Sequence, residues 1–228
     1  MNHLQRDTNH AKSVTRIARL LRVFMYILAA IGIIMVVKRT LSMEGIIPNF
    51  TPAGVTPFDS GFGEHPVMTF LHILPGALFM ILGPMQFTPG VRARHERGKH
   101  WTGRVFLVVA FIVGVSAIGM PFVMLPIGGV NEAAASILFA IIFLVSLGKA
   151  WWYGRKHHVA LYREWLIRAF AIGLAISTIR PIIGIFFGVS GLPPQVFFGT
   201  AFWIGFTLHL MLAEVWINYT RQIGQAGH

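Results

Sequence analysis

Six apolar runs of about 20 residues, the length that spans a hydrocarbon core of roughly 30 Å, occupy most of this chain of 228 residues. They fall near 20–37, 66–88, 105–126, 133–153, 166–188 and 196–218. In lipid every backbone N–H and C=O must be satisfied within the segment or within a closed barrel, so a continuous apolar run of this length folds as a helix. The expected fold is all-α, an integral membrane bundle of six transmembrane helices. A composition of 55% hydrophobic and 12% charged residues, with a mean hydropathy of +0.66, belongs to the same class.

The basic residues are distributed unevenly between the runs. The N-terminal segment holds Arg6, Lys12, Arg16, Arg19 and Arg22, and the second connection holds Arg92, Arg94, Arg97, Lys99 and Arg104. Around the fourth connection lie Lys149, Arg155, Lys156, Arg163 and Arg168, and the C-terminal tail carries Arg221. On the other side the first connection has only Lys38 and Arg39, set against Glu44, Asp59 and Glu64, and the third and fifth have none. Sixteen of the nineteen Lys and Arg thus mark alternate segments. By the positive-inside bias those segments, both termini included, are expected to be cytoplasmic. The expected organisation is a basic N-terminal segment over 1–19, a transmembrane domain over 20–219 and a cytoplasmic tail over 220–228, in a bacterial-type inner membrane. The one long connection, 39–65, lies outside and has the length to fold over the bundle as a flap or to run as a simple connector.

A net charge of +11 raises nucleic acid as a partner. Its division into patches at span ends points instead to anionic lipid headgroups. The chain has no cysteine, which excludes disulfides, iron–sulfur clusters and thiolate chemistry and restricts any zinc site to His and carboxylate. The basic N-terminus and the run that follows read as an uncleaved signal-anchor, with 12–24 as a basic amphipathic helix on the inner surface before the first span. Trp151, Trp152, Tyr153, Trp165, Trp216 and Tyr219 gather at the inner span ends, the position of an anchoring aromatic belt. Pro75, Pro84, Pro121 and Pro181 fall within spans, where each removes a backbone donor and favours a kink. The pairs Pro75-Gly76 and Arg180-Pro181 are where contact with a cofactor or water is most expected.

Polar side chains inside hydrocarbon are costly and default to a functional role with a partner. They are His72 and Gln86 in the second run, Lys149 in the fourth, Arg180 in the fifth, and His209 and Glu214 in the sixth. At about 1.5 Å per residue, His72 sits roughly 7 Å outward of mid-span, Arg180 roughly 4–5 Å outward and His209 roughly 3 Å inward. Neutral imidazole is a common axial ligand of haem iron. His72 and His209 are therefore candidate ligands for haem b, Arg180 a counter-charge for a propionate, and Gln86 a further cofactor contact. Lys149 and Glu214, nearer the inner surface, are expected to form a structural ion pair. His95, His100, His157 and His158 form a second group on the basic side. His100 and His158 are the candidates for a second metal site, although neighbouring cations disfavour an added ion and a solvated loop accounts for them equally. No Ser-His-Asp order, Walker loop, glycine-rich dinucleotide turn or paired-carboxylate metal motif is present.

The stretch His72-Ile73-Leu74-Pro75-Gly76-Ala77-Leu78 with Gly83-Pro84-Met85-Gln86-Phe87 resembles the membrane family called domain of unknown function 2306. So do His100-Trp101-Thr102-Gly103-Arg104, Arg163-Glu164-Trp165-Leu166-Ile167-Arg168 and the closing Ala213-Glu214. The resemblance covers about residues 65 to 219. It departs from the family at Tyr162, where His usually precedes the Arg-x-Trp motif, and by about a residue around His100. The family has no settled activity. Its His-bearing helices are similar to those of b561-like membrane cytochromes, which by analogy implies haem.

Three readings follow. The first is a b-type haem protein with bis-His ligation in the bundle, passing electrons to or from a quinone or a redox partner. The second is a transporter of a small anion or a proton-coupled carrier, with His72, Arg180 and His209 as a relay. The third is a non-catalytic subunit or assembly factor of a membrane complex, as a homo-oligomer or in a larger assembly, its polar residues serving helix packing.

Overall fold

The structure, a computed structural model, describes residues 2–46, 60–88 and 96–226, with side chains over 15–46, 61–88 and 101–221. The described residues form seven helices and no strand: α1 Asn2–Met43, α2 Ser60–Glu64, α3 Pro66–Phe87, α4 Glu96–Val123, α5 Gly129–Arg155, α6 Val159–Val189 and α7 Pro194–Ala226. All but α2 contain a stretch long and apolar enough to cross a membrane. The large apolar side chains on the outside, among them Val67, Phe122, Leu125 and Val215, are the lipid-facing surface such a bundle requires.

The helix ends follow from local chemistry. No Gly or Pro interrupts the chain from Asn2 to Ala30, and the segment expected to lie separately on the surface, 12–24, is continuous with the span within α1. Pro66 starts α3, where its missing N–H costs nothing. At the start of α5, Glu132 Oε2 accepts the Gly128 N–H at 2.7 Å, placing a carboxylate at the positive end of the helix. The turn between α5 and α6 closes on His157, at φ 58° the one non-glycine with positive φ among the described residues. His158 N–H reaches back to the Tyr153 carbonyl at 3.0 Å and His157 N–H to Gly154 at 3.2 Å, a left-handed C-terminal cap in which glycine is the usual occupant. The four intraspan prolines all lie inside continuous helices.

Helix α6 is central, packing against α1, α5 and α7, while α3 joins α1 to α4 and α4 packs on α5. The middle is filled by one aromatic cluster drawn from four helices. Phe79 of α3 stacks on Phe106 of α4 at 5.1 Å, meets Phe143 of α5 edge-on at 5.7 Å and Phe170 of α6 at 5.4 Å. Two glycines let α3 and α6 come together around it. A Cβ on Gly83 of α3 would overlap the Phe170 ring, and one on Gly173 of α6 would overlap the Phe79 ring. The two helices thus meet through rings set over glycines rather than by close backbone packing. A second cluster, with Phe186 stacked on Phe197 at 5.3 Å, joins α6 to α7 at the other end.

From the long first connection, the described part is α2. The Thr69 hydroxyl donates to the Phe62 carbonyl at 2.9 Å and the Arg39 guanidinium lies 4.1 Å from the Phe62 ring centre, so α2 is tied to α3 and to the end of α1. Of the flap or connector expected over 39–65, residues 47–59 lie outside the described residues.

Candidate functional site

The intraspan polar side chains fall into three tiers. In the middle tier His72 Nδ1 is 2.8 Å from Ser116 Oγ, linking α3 to α4. Ser116 also reaches the Ile112 and Val113 carbonyls at 2.7 and 3.0 Å, so its single proton is spent on its own helix and the His72 N–H donates to Oγ. His209 Nε2 is 2.8 Å from Thr178 Oγ1, linking α7 to α6. The two histidines expected to share one ligand thus serve two separate helix pairs. Ser177, next to Thr178, has a buried hydroxyl with no hydrogen-bond partner, 3.1 Å from where a Cβ on Gly32 would stand.

At the end where α5 begins and α6 ends, Arg180 lies close enough to Glu132 of α5 to interact with it electrostatically. Beside it the Trp203 indole N–H donates to Asn131 Oδ1 at 2.9 Å, and Gly199 gives Asn131 its room, since a Cβ there would come within 2.7 Å of Asn131 Nδ2. Arg180, expected as a counter-charge for a cofactor, has a carboxylate of its own chain in reach.

At the opposite, basic end, Arg168 of α6 grips Glu214 of α7 with two parallel bonds, Nε to Oε1 at 2.5 Å and Nη2 to Oε2 at 2.9 Å. A second fork joins Arg221 of α7 to Glu164 of α6, with Nε to Oε1 at 2.5 Å. The Lys149–Glu214 pair expected from the sequence is replaced by Arg168–Glu214. Lys149 Nζ sits instead 4.6 Å from the centre of the Trp165 ring, which Arg168 approaches at 4.5 Å. The reason is geometric: a guanidinium matches both carboxylate oxygens at once, and an ammonium does not. Sequence reading counted Arg168 as an orientation charge, met Glu164 only within a family motif, and missed the roles of both. The available signal was the spacing, with an acid and a base one turn apart on α6 facing an acid and a base two turns apart on antiparallel α7.

Gln86 is buried at the basic end of α3, its Oε1 3.9 Å from where a Cβ on Gly103 would lie. His158 is exposed and makes an edge contact with Tyr153 at 6.2 Å. The side chain of His100 lies outside the described residues, as does that of His95. With His157 and His158 forming the cap of α5, their placement is accounted for by the turn.

In this arrangement the two candidate haem ligands each bond a hydroxyl on a neighbouring helix. His209 Nε2 is engaged by Thr178 of α6, and His72 Nδ1 by Ser116 of α4. The core beside these helices is closed by Phe79, Phe106, Phe143 and Phe170, all nearly inaccessible.

Six apolar helices around a phenylalanine core, with polar side chains bonded across helix pairs and a lipid-facing apolar exterior, define a polytopic α-helical membrane protein. The chain belongs to the predicted membrane protein family DUF2306, which it matches over residues 69–217, from Thr69 beneath α2 to Ile217 in the last span. Comparison with curated proteins and with solved structures finds no match.

Proposed function

We propose that this protein is a non-catalytic component of the membrane, a rigid six-span scaffold whose intramembrane polar residues fasten neighbouring helices together. The observation that carries this reading is the pairing of His72 with Ser116 and of His209 with Thr178. Each bond closes the contact between adjacent helices, and hydrogen bonds of this kind are a normal adhesive between helices in lipid. The lysine and arginine bias supports placing the basic end in the cytoplasm, where it would meet the anionic leaflet.

Spectroscopy and labelling test the reading. Protein purified from haem-replete cells is expected to show no Soret band, oxidised or dithionite-reduced. The variants His72→Ala and His209→Ala should accumulate in the membrane but melt earlier in detergent. A Soret band lost in His209→Ala would sink the scaffold reading in favour of electron transfer. Because the chain has no cysteine, a single Cys at Lys156 or Ser190 reports orientation by membrane-impermeant labelling. Reagent outside the cell should reach only the Cys at 190.

A further inference from the structure

Between α4, α5 and α6 at the basic end lies a cavity of about 460 Å³, open to the outside and lined by Arg104, Arg155, Trp151, Tyr162 and the two glycines Gly103 and Gly154. Among the described side chains, the acids nearest this end are engaged, Glu214 with Arg168 and Glu164 with Arg221. The cavity lining contains no carboxylate. Arg104 has no carboxylate partner among the described residues, and the Arg155 guanidinium rests only on Trp151, at 5.2 Å from the ring centre. Two guanidiniums therefore border one cavity, and among the described side chains no carboxylate neutralises them as it does their neighbours on α6 and α7.

We propose that this cavity binds the phosphate of an anionic phospholipid. Arginine forks match phosphate oxygens bidentately. Trp151, half exposed at 49%, and Tyr162 give the lining the aromatic character of the headgroup level. Leu107, one turn deeper on α4 than Gly103, supplies apolar surface for the start of an acyl chain. That combination of paired cations above an apolar wall suits a lipid better than soluble phosphate. Gly103 lines the cavity without a side chain of its own. The site does not depend on the scaffold reading, since a haem-binding protein would retain it.

The test uses the full chain in nanodiscs of phosphatidylcholine alone or mixed equally with phosphatidylglycerol. Native mass spectrometry counts the phosphatidylglycerol that stays bound. The double variant Arg104→Gln/Arg155→Gln should bind it about tenfold more weakly, through loss of the two guanidinium contacts to the phosphate. Gly103→Leu keeps both charges, adds bulk to the cavity lining and should weaken binding as well. A charge-matched control, Lys156→Gln/Arg163→Gln, lies outside the cavity lining and, with exposed charges screened by salt, should stay within about twofold of the parent. Equal loss in the control would overturn the site in favour of diffuse attraction. Full retention in Gly103→Leu would also overturn it, provided the variant melts like the parent. Displacement of the lipid by millimolar inorganic phosphate would show a soluble-anion site and overturn the lipid assignment.

Discussion

Helices α6 and α7 are joined twice, by different chemistry at different depths. Near mid-span the join is neutral, His209 to Thr178 at 2.8 Å. At the basic end it is ionic, a two-bond fork from Arg168 to Glu214 backed by a second from Arg221 to Glu164. The Glu214 side chain is 41% exposed and that of Arg168 13%. Placing a charged pair where one member keeps contact with the interface avoids most of the cost of stripping water from both. A neutral pair in hydrocarbon has far less hydration to lose. Depth therefore selects the fastener, with imidazole and hydroxyl inside and guanidinium and carboxylate at the rim.

The strongest challenge to both joins is the core they flank. Phe79→Ala removes a ring that touches Phe106, Phe143 and Phe170 at once. It should cost about 3 kcal/mol, the largest fall in detergent melting of any single change considered. If it costs less than a polar substitution, the joins rather than the core hold the bundle. Next is Arg168→Gln, which leaves a carboxylate without its fork and is expected to cost about 1–2 kcal/mol, discounted for the exposure of Glu214. Adding Glu214→Gln should recover part of that loss, and a double variant worse than the single would contradict the pairing. A double-mutant cycle on His209→Ala and Thr178→Val should return a coupling of about 0.6 kcal/mol. A value above that of the Arg168–Glu214 cycle would reverse the ranking by depth. The smallest effect is a gain: His157→Gly relieves the left-handed backbone of the α5–α6 turn and should raise stability by up to about 1 kcal/mol. A fall in melting would mean the imidazole does more there than cap a helix.

Spans were legible because their signal is cumulative, and twenty apolar residues outweigh any local ambiguity. Their ends were less so. The continuous reach of α1 and the extra turns that extend α5, α6 and α7 lie in mixed polar sequence, where propensity and tertiary packing decide. The polar positions at His72, His209 and Arg180 were legible as unusual, but their partners were not. Nothing in the spacing of His72 names Ser116, forty-four positions later on the next span. Partner choice was readable only in principle at Glu214, where two basic residues were within reach and the fork geometry of arginine decided between them. The crossing of α3 and α6 was hidden for another reason. Gly83 and Gly173 look like ordinary membrane glycines until the ring each one admits is known.

That crossing is an exchange, in which each helix gives up a side chain so that the other may insert a ring. Neither half can change alone. A bulkier residue at 83 evicts Phe170, and a bulkier one at 173 evicts Phe79. Across the family, positions 83 and 170 should therefore vary together in size, large against small, as should 173 and 79. The fold would then carry two linked pairs of coevolving sites, tying the second span to the fifth across ninety residues of sequence.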